Sequence, residues 1–167
     1  MEGESPEVDK GRPLTWTTVS GEYFRAMGIQ LLAGRLFSDH DGANSRLVAI
    51  IDESMARRYW PNRDAIGRRF KGQDRRGKDD DWITVIGVVR NARREGVERE
   101  STPHVFLWHR QAEPTTDWVI RTATQPAALA ASVRAAVREI DPRAVVADMM
   151  PMEQHLELQT AERRRGC

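Results

Sequence analysis

Asp52-Glu53 is the carboxylate pair best placed to do chemistry, because it directly follows the apolar run Leu47-Val48-Ala49-Ile50-Ile51. Carboxylates at the C-terminal end of a strand are where α/β enzymes commonly put an acid and a base. A small soluble enzyme could use the pair in that way. The same position has a structural use, since Asp52 can accept the orphan N–H groups that open a following helix. Capping is the stronger reading: a helix start always needs an acceptor, and the sequence offers no evident partner for catalysis. A second lure is Gly72-Gln73-Asp74-Arg75-Arg76-Gly77-Lys78-Asp79, which matches a phosphate loop except that Asp79 replaces the metal-binding hydroxyl. A phosphate loop lies between a strand and a helix N-terminus, whereas here Asp79-Asp80-Asp81 and then a strand follow. The segment therefore reads as a solvated hairpin loop.

The remaining chemistry-bearing residues are scattered. No two of His40, His104, His109 and His155 have the helical spacing of a zinc protease, and no cysteine accompanies them. Asp39-His40-Asp41 could make a carboxylate-rich metal loop, but Ser, Asp, Gly and Asn together ordinarily make turns. There is no nucleophile elbow. The one cysteine, Cys167, is the last residue, so it has no ordered surroundings to activate it and no partner for an intrachain disulfide. These searches assign no catalytic, cofactor-binding or metal residue. Arg90, Arg93, Arg94 and Arg99 alternate with Glu95, Glu98 and Glu100, a solvated mixed-charge pattern rather than a phosphate track. With 26 basic and 25 acidic residues the chain has no field to attract polyanions, so nucleic acid is not expected as a partner.

The elements that would position these residues follow from periodicity. Residues 1–13 are polar, contain Gly3, Pro6, Gly11 and Pro13, and read as a flexible lead-in without the apolar region of a signal peptide. No apolar run approaches the length of a membrane span. Strands are expected over 14–19, 46–52, 82–89, 105–108, 117–122 and 144–149. In the strongest, Ile83, Val85 and Val89 should face one way and Trp82, Ile86 and Val88 the other, which predicts a central strand covered on both faces. Short helices are expected over 22–27, capped by Ser20 and ended by a left-handed Gly28, and over 53–59, stopped by Pro61. Leu129, Val133, Val137 and Ile140 form one stripe of a longer helix over 126–140, with Thr124 or Gln125 as cap and Asp141-Pro142 as stop. A last helix is expected over 151–161.

The order strand 117–122, helix 126–140, strand 144–149 is a βαβ unit. The fold class expected is α+β: a mixed α/β subdomain built from residues 14–20 and 115–161, and a mostly β subdomain, residues 21–114, inserted into it. Residues 162–167 form a short tail.

Six phrases in order carry a family resemblance. They are Val19-Ser20 with Tyr23-Phe24 and Met27-Gly28-Ile29; Leu31-Leu32 with Gly34-Arg35 and Phe37; Ile51-Asp52-Glu53 leading to Trp60-Pro61; Ile66-Gly67 with Phe70; Val85-Ile86-Gly87-Val88-Val89; and Arg121-Thr122, then Pro126 to Leu129, with Asp141-Pro142 closing that helix. Together these resemble the MacB-like periplasmic core domain of ABC transporter permeases, the FtsX/MacB type, over about residues 19–165. Asp52 stands where the family usually has asparagine and Gln125 where it usually has aspartate, and both keep a side-chain acceptor.

The resemblance implies a non-enzymatic extracytoplasmic domain without a cofactor, tethered to the transmembrane helices of a permease in the bacterial cytoplasmic membrane, with residues 162–167 next to the lipid. It implies an indirect partner, an ABC ATPase, whose work reaches substrates or partner proteins outside through this domain. The family's domain usually begins further upstream. The α/β part is therefore expected to be incomplete on its N-terminal side, with a sheet edge or apolar face open to a second copy.

Overall fold

A computed structural model of the chain describes residues 14–71, 82–91, 102–112, 117–147, 149–155 and 157. They fall into two units divided between Val119 and Ile120.

The first unit is one mixed sheet with two short helices. Its elements are β1 (Thr15–Val19), α1 (Tyr23–Ala26), β2 (Leu31–Gly34), β3 (Val48–Asp52), α2 (Glu53–Tyr59), β4 (Arg69–Lys71), β5 (Trp82–Val89) and β6 (His104–Trp108). The sheet order is β1-β6-β3-β5-β2, with β4 also on β5. β1 runs parallel to β6, β6 antiparallel to β3, β3 parallel to β5, and β5 antiparallel to both β2 and β4. The α+β class expected from the sequence is borne out. β1, grouped from sequence with residues 115–161, is hydrogen-bonded to β6 in this sheet.

β3 is the axis of the unit: all five of its residues are buried. Its pleat sends Ala49 and Ile51 to one face, where they pack with Met55 of α2, Trp60, Phe70, Val85 and Val105. Ile50 goes to the other face and meets Val19, Phe24 of α1, Val89 and Phe106. This two-sided burial is why the segment lacks polar alternation. α2 follows its expected range, with Met55 buried, and Gly28 takes the left-handed φ of 67° that ends α1. Ser20 is not the cap of α1; the cap position is Glu22, without a side-chain bond, and Ser20 contributes its backbone carbonyl to Tyr23 N–H.

The expected facing of β5 is corrected at its centre. The pairing with β3 steps from Ala49↔Val85 to Ile50↔Gly87, so one residue is extra on β5. An extra residue inverts the pleat beyond it. Val88 therefore joins Val85 on one face, and Val89 packs on the other with Ile86 against it. The irregularity is held by glycines. A Cβ on Gly87 would meet Arg35 O at 2.4 Å, and one on Gly34, where φ is +74°, would meet Ile86 O at 2.2 Å. β4, not among the expected strands, pairs antiparallel with β5, and the phosphate-loop-like residues 72–79 between them lie outside the described residues.

The second unit contains α3 (Pro126–Ile140), where the stripe and Pro126 at the first turn predict it. Gln125 is the cap position but makes no side-chain cap bond. Residues 152–155 are helical, part of the expected last helix. The two strands expected on either side of α3 are not formed among the described residues: 117–122 and 144–147 belong to no strand. A strand is defined by its ladder, and the ladders among the described residues include neither segment. No side chain of α3 is buried, and Ile140 is 85% exposed.

Gly34→Ala adds a backbone clash to a left-handed residue. It is expected to lower the unfolding free energy by about 3 kcal/mol, combining conformational strain with overpacking, as read by urea denaturation. Gly42→Ala, where a Cβ meets open space, is the control and is expected to change little.

Candidate functional site

The Asp52-Glu53 pair lies at the corner where β3 turns into α2. Asp52 keeps an extended backbone (φ −82°, ψ 165°), as a cap residue does, and its Oδ1 accepts the Met55 N–H at 2.8 Å. Its carboxylate also takes a backbone N–H from His104. At 4% exposure the side chain is buried. Burial pushes its pKa above the ordinary carboxylate value; the N–H groups of Met55 and His104 oppose this, Glu53 adds to it and Arg57 slightly offsets it.

Glu53 is also engaged. Its Oε2 accepts from Arg57 Nη1 at 2.9 Å, one turn along the helix, and its Oε1 accepts the Asn91 N–H at 3.2 Å. Asn91 returns the contact: its Oδ1 accepts Ser54 N–H at 3.1 Å and its Nδ2 donates to Ser54 Oγ at 2.6 Å. This clasp ties the first turn of α2 to the chain leaving β5.

The loop with the metal-like sequence is a latch. Arg35 grips Asp41 with two parallel bonds, Nη1 to Oδ2 and Nη2 to Oδ1, both 2.7 Å. Asp41 Oδ2 also accepts Ser38 N–H at 2.8 Å and Ser38 Oγ at 3.2 Å. The Arg35 bond, with help from Ser38, holds the Asp41 pKa below the ordinary value against its burial. Asp39, on the exposed side, pairs with Arg110 Nη2 at 3.0 Å, and His40 is exposed.

Of the other histidines, His104 meets the Asp52 carboxylate through its backbone N–H. His104 Nε2 shares a hydrogen bond with Thr17 Oγ1 at 2.7 Å, and its ring stacks on Phe106 at 4.3 Å, which binds β1 to β6. His109 packs edge-on against Trp108, and His155 is exposed in the second unit. Among the described residues no three His, Cys, Asp or Glu side chains gather as a metal site. Of the arginine cluster only Arg90 is described; Arg93, Arg94, Arg99 and Cys167 lie outside the described residues.

Gln111 is a structural polar residue that sequence reasoning missed. It is buried, and its Oε1 accepts Val48 N–H at 3.1 Å. Its Nε2 faces Ser45 Oγ at 2.8 Å and the carbonyls of Gly42 and Arg46, each at 3.0 Å. It thereby pins the loop before β3 to the turn after β6. A single Gln near a turn has no sequence signal; only the fold brings positions 42–48 and 111 together.

The family model for the MacB-like periplasmic core domain matches residues 3–140, most of the chain. The chain belongs to that family. Among solved structures it is similar to the periplasmic region of MacB from Actinobacillus actinomycetemcomitans, with 19% identity and a TM-score of 0.47, covering 71% of this chain and 53% of that one. It is also similar to a domain of a putative permease protein from Porphyromonas gingivalis, with 19% identity and a TM-score of 0.46, covering 73% and 57%. A third is the extracellular domain of the noncanonic ABC-type transporter YknZ from Gram-positive bacteria, with 21% identity and a TM-score of 0.36, covering 51% and 37%. The chain thus spans less than two thirds of each of these structures. No curated protein matches it.

Two measurements check the polar assignments. Gln111→Leu strands buried backbone groups and is expected to cost about 2–4 kcal/mol in equilibrium unfolding, with no change of fold by circular dichroism. Asp52→Asn keeps a cap acceptor while removing the charge. The raised pKa of Asp52 means that its ionised form weighs against the folded state. The variant is therefore expected to match the parent in acid and to become relatively more stable as pH rises through that pKa. Asp41 runs the other way: its lowered pKa gives stability that is present above the unfolded value and lost as pH falls through the folded one. In Asp41→Asn that acid-side loss is expected to be smaller. Urea titrations at several pH values read both signs.

Proposed function

We propose that this chain is an extracytoplasmic, non-enzymatic domain of an ABC transporter permease. It couples ATPase-driven movement of transmembrane helices to substrates or partner proteins outside the cytoplasmic membrane. The family match over residues 3–140 carries this reading. The Arg35–Asp41 latch, the Gln111 pin and the Asn91 clasp support it, because a coupling element must transmit displacement without deforming. Among the described residues no helix is long and apolar enough to cross a membrane.

The rival reading, a small soluble enzyme working through Asp52 and Glu53, has less support. An acid–base pair needs both groups open to substrate. Here Asp52 is sealed under α2 and Glu53 is held by Arg57 and Asn91. A free-standing binding module would need a pocket with converging polar groups, and the polar groups described here converge on the chain's own backbone.

The sidedness is tested in intact cells. With Cys167 replaced by serine and the exposed Asp39 replaced by cysteine in the parent protein, a membrane-impermeant maleimide is expected to label position 39 in spheroplasts before lysis. Labelling only after lysis would put the domain in the cytoplasm and end this reading. Turnover of a small molecule by the purified chain, abolished by Glu53→Gln, would favour the enzyme instead.

A further inference from the structure

One carboxylate closes two elements at the end of β3. The antiparallel ladder between β3 and β6 ends at Ile51↔Val105, so Asp52 and His104 are the next residues to face each other. There the His104 N–H is taken by the Asp52 side chain. The same carboxylate accepts the Met55 N–H at 2.8 Å and so caps α2. Asp52 thus serves as the last rung between β3 and β6 and as the cap of the following helix. Ladder ends and helix starts are the places that open locally before a core does.

The electrostatics of the corner give that opening a sign. The carboxylate is enclosed, and its burial outweighs the two N–H groups that favour its charge. On α2, Glu53 adds to the cost of the charge and Arg57, itself paired with Glu53 at 2.9 Å, slightly offsets it. On β6, His104 turns its ring to Thr17 and stacks it on Phe106. β5, paired with the corner at Asp52↔Val89, carries no titratable residue, and β1 carries none. Arg90, which follows β5, is exposed. Parting α2 from β6 lets water reach the carboxylate. Its ionised form therefore favours the open corner and its protonated form the closed one.

We infer that the Asp52 corner is a proton-operated joint: proton uptake locks the first turn of α2 to the start of β6, and proton release lets the two part while the rest of the sheet stays folded. Each side keeps its own ties when the joint opens. Asn91 holds Glu53 and Ser54 on the α2 side, and the His104 ring holds Thr17 on the β6 side. The pKa of the closed corner lies above the ordinary carboxylate value. The locking contribution is therefore complete below that ordinary value and is lost as pH rises through the raised one. The inference stands apart from the coupling role and from membrane sidedness, since it concerns one corner within the first unit.

The test is amide exchange of the full chain, followed by NMR from acid to neutral pH and corrected for the intrinsic pH dependence of exchange. At low urea, Met55 and His104 are expected to exchange through an opening that urea barely affects. Val85, whose N–H bonds Arg68 O at 2.8 Å, is expected to exchange through urea-sensitive global unfolding. The open fraction at Met55 and His104 is expected to rise by about tenfold with pH, with its midpoint at the titration of the Asp52 carboxyl carbon. Asp52→Asn, which keeps an acceptor for both N–H groups, is expected to flatten the rise, and Glu53→Gln to retain it. A urea dependence at Met55 and His104 equal to that of Val85 would overturn the inference. So would a rise that survives in Asp52→Asn or disappears in Glu53→Gln. In the parent protein, a midpoint away from the Asp52 titration would overturn it with no variant needed.

Discussion

The burial of β3 on both faces and both edges is the constraint from which the rest of the first unit follows. Ile50 and Ile51 are fully enclosed, and each contributes about 1.5–3 kcal/mol of transfer free energy when removed from water. That enclosure requires α2 with Met55 on one face and α1 with Phe24 on the other. It also forces the chain to leave the strand inside the protein, where its polar groups must find partners. Asp52 meets that need by capping α2. The carboxylate pair that looks most like chemistry in the sequence is therefore the polar seal of a buried strand end.

The irregular segments around the sheet obey the same rule. The Arg35–Asp41 bridge closes the loop after β2, and Gln111 closes the one before β3. Removing one partner of such a group leaves another buried without a bond, which costs more than the bond itself contributes. Loops fixed in this way move with the sheet.

The second unit is built on different terms. α3 has a clear stripe and a first-turn proline, and these local features suffice to set its limits. The stripe is only half-covered, and Ile140 and Val145 are exposed. The segments on either side of it, which read as strands, form none among the described residues. β-structure is defined by a neighbour, so composition can announce it and still leave it unformed.

Local chemistry was enough to read α2, α3, the left-handed Gly28, the strands β1, β3, β5 and β6, and the family phrases, because each depends on residues close together in the chain. The structural role of Asp52 was legible for the same reason: cap and helix are contiguous. Other features depend on which distant residues meet. The bulge that turns Val88 to the face of Val85, the grip of Arg35 on Asp41, the Asn91 clasp and the Gln111 pin were all invisible in sequence. Their partners are set by sheet order, strand register and loop packing, and those are decided only when the whole sheet closes around β3.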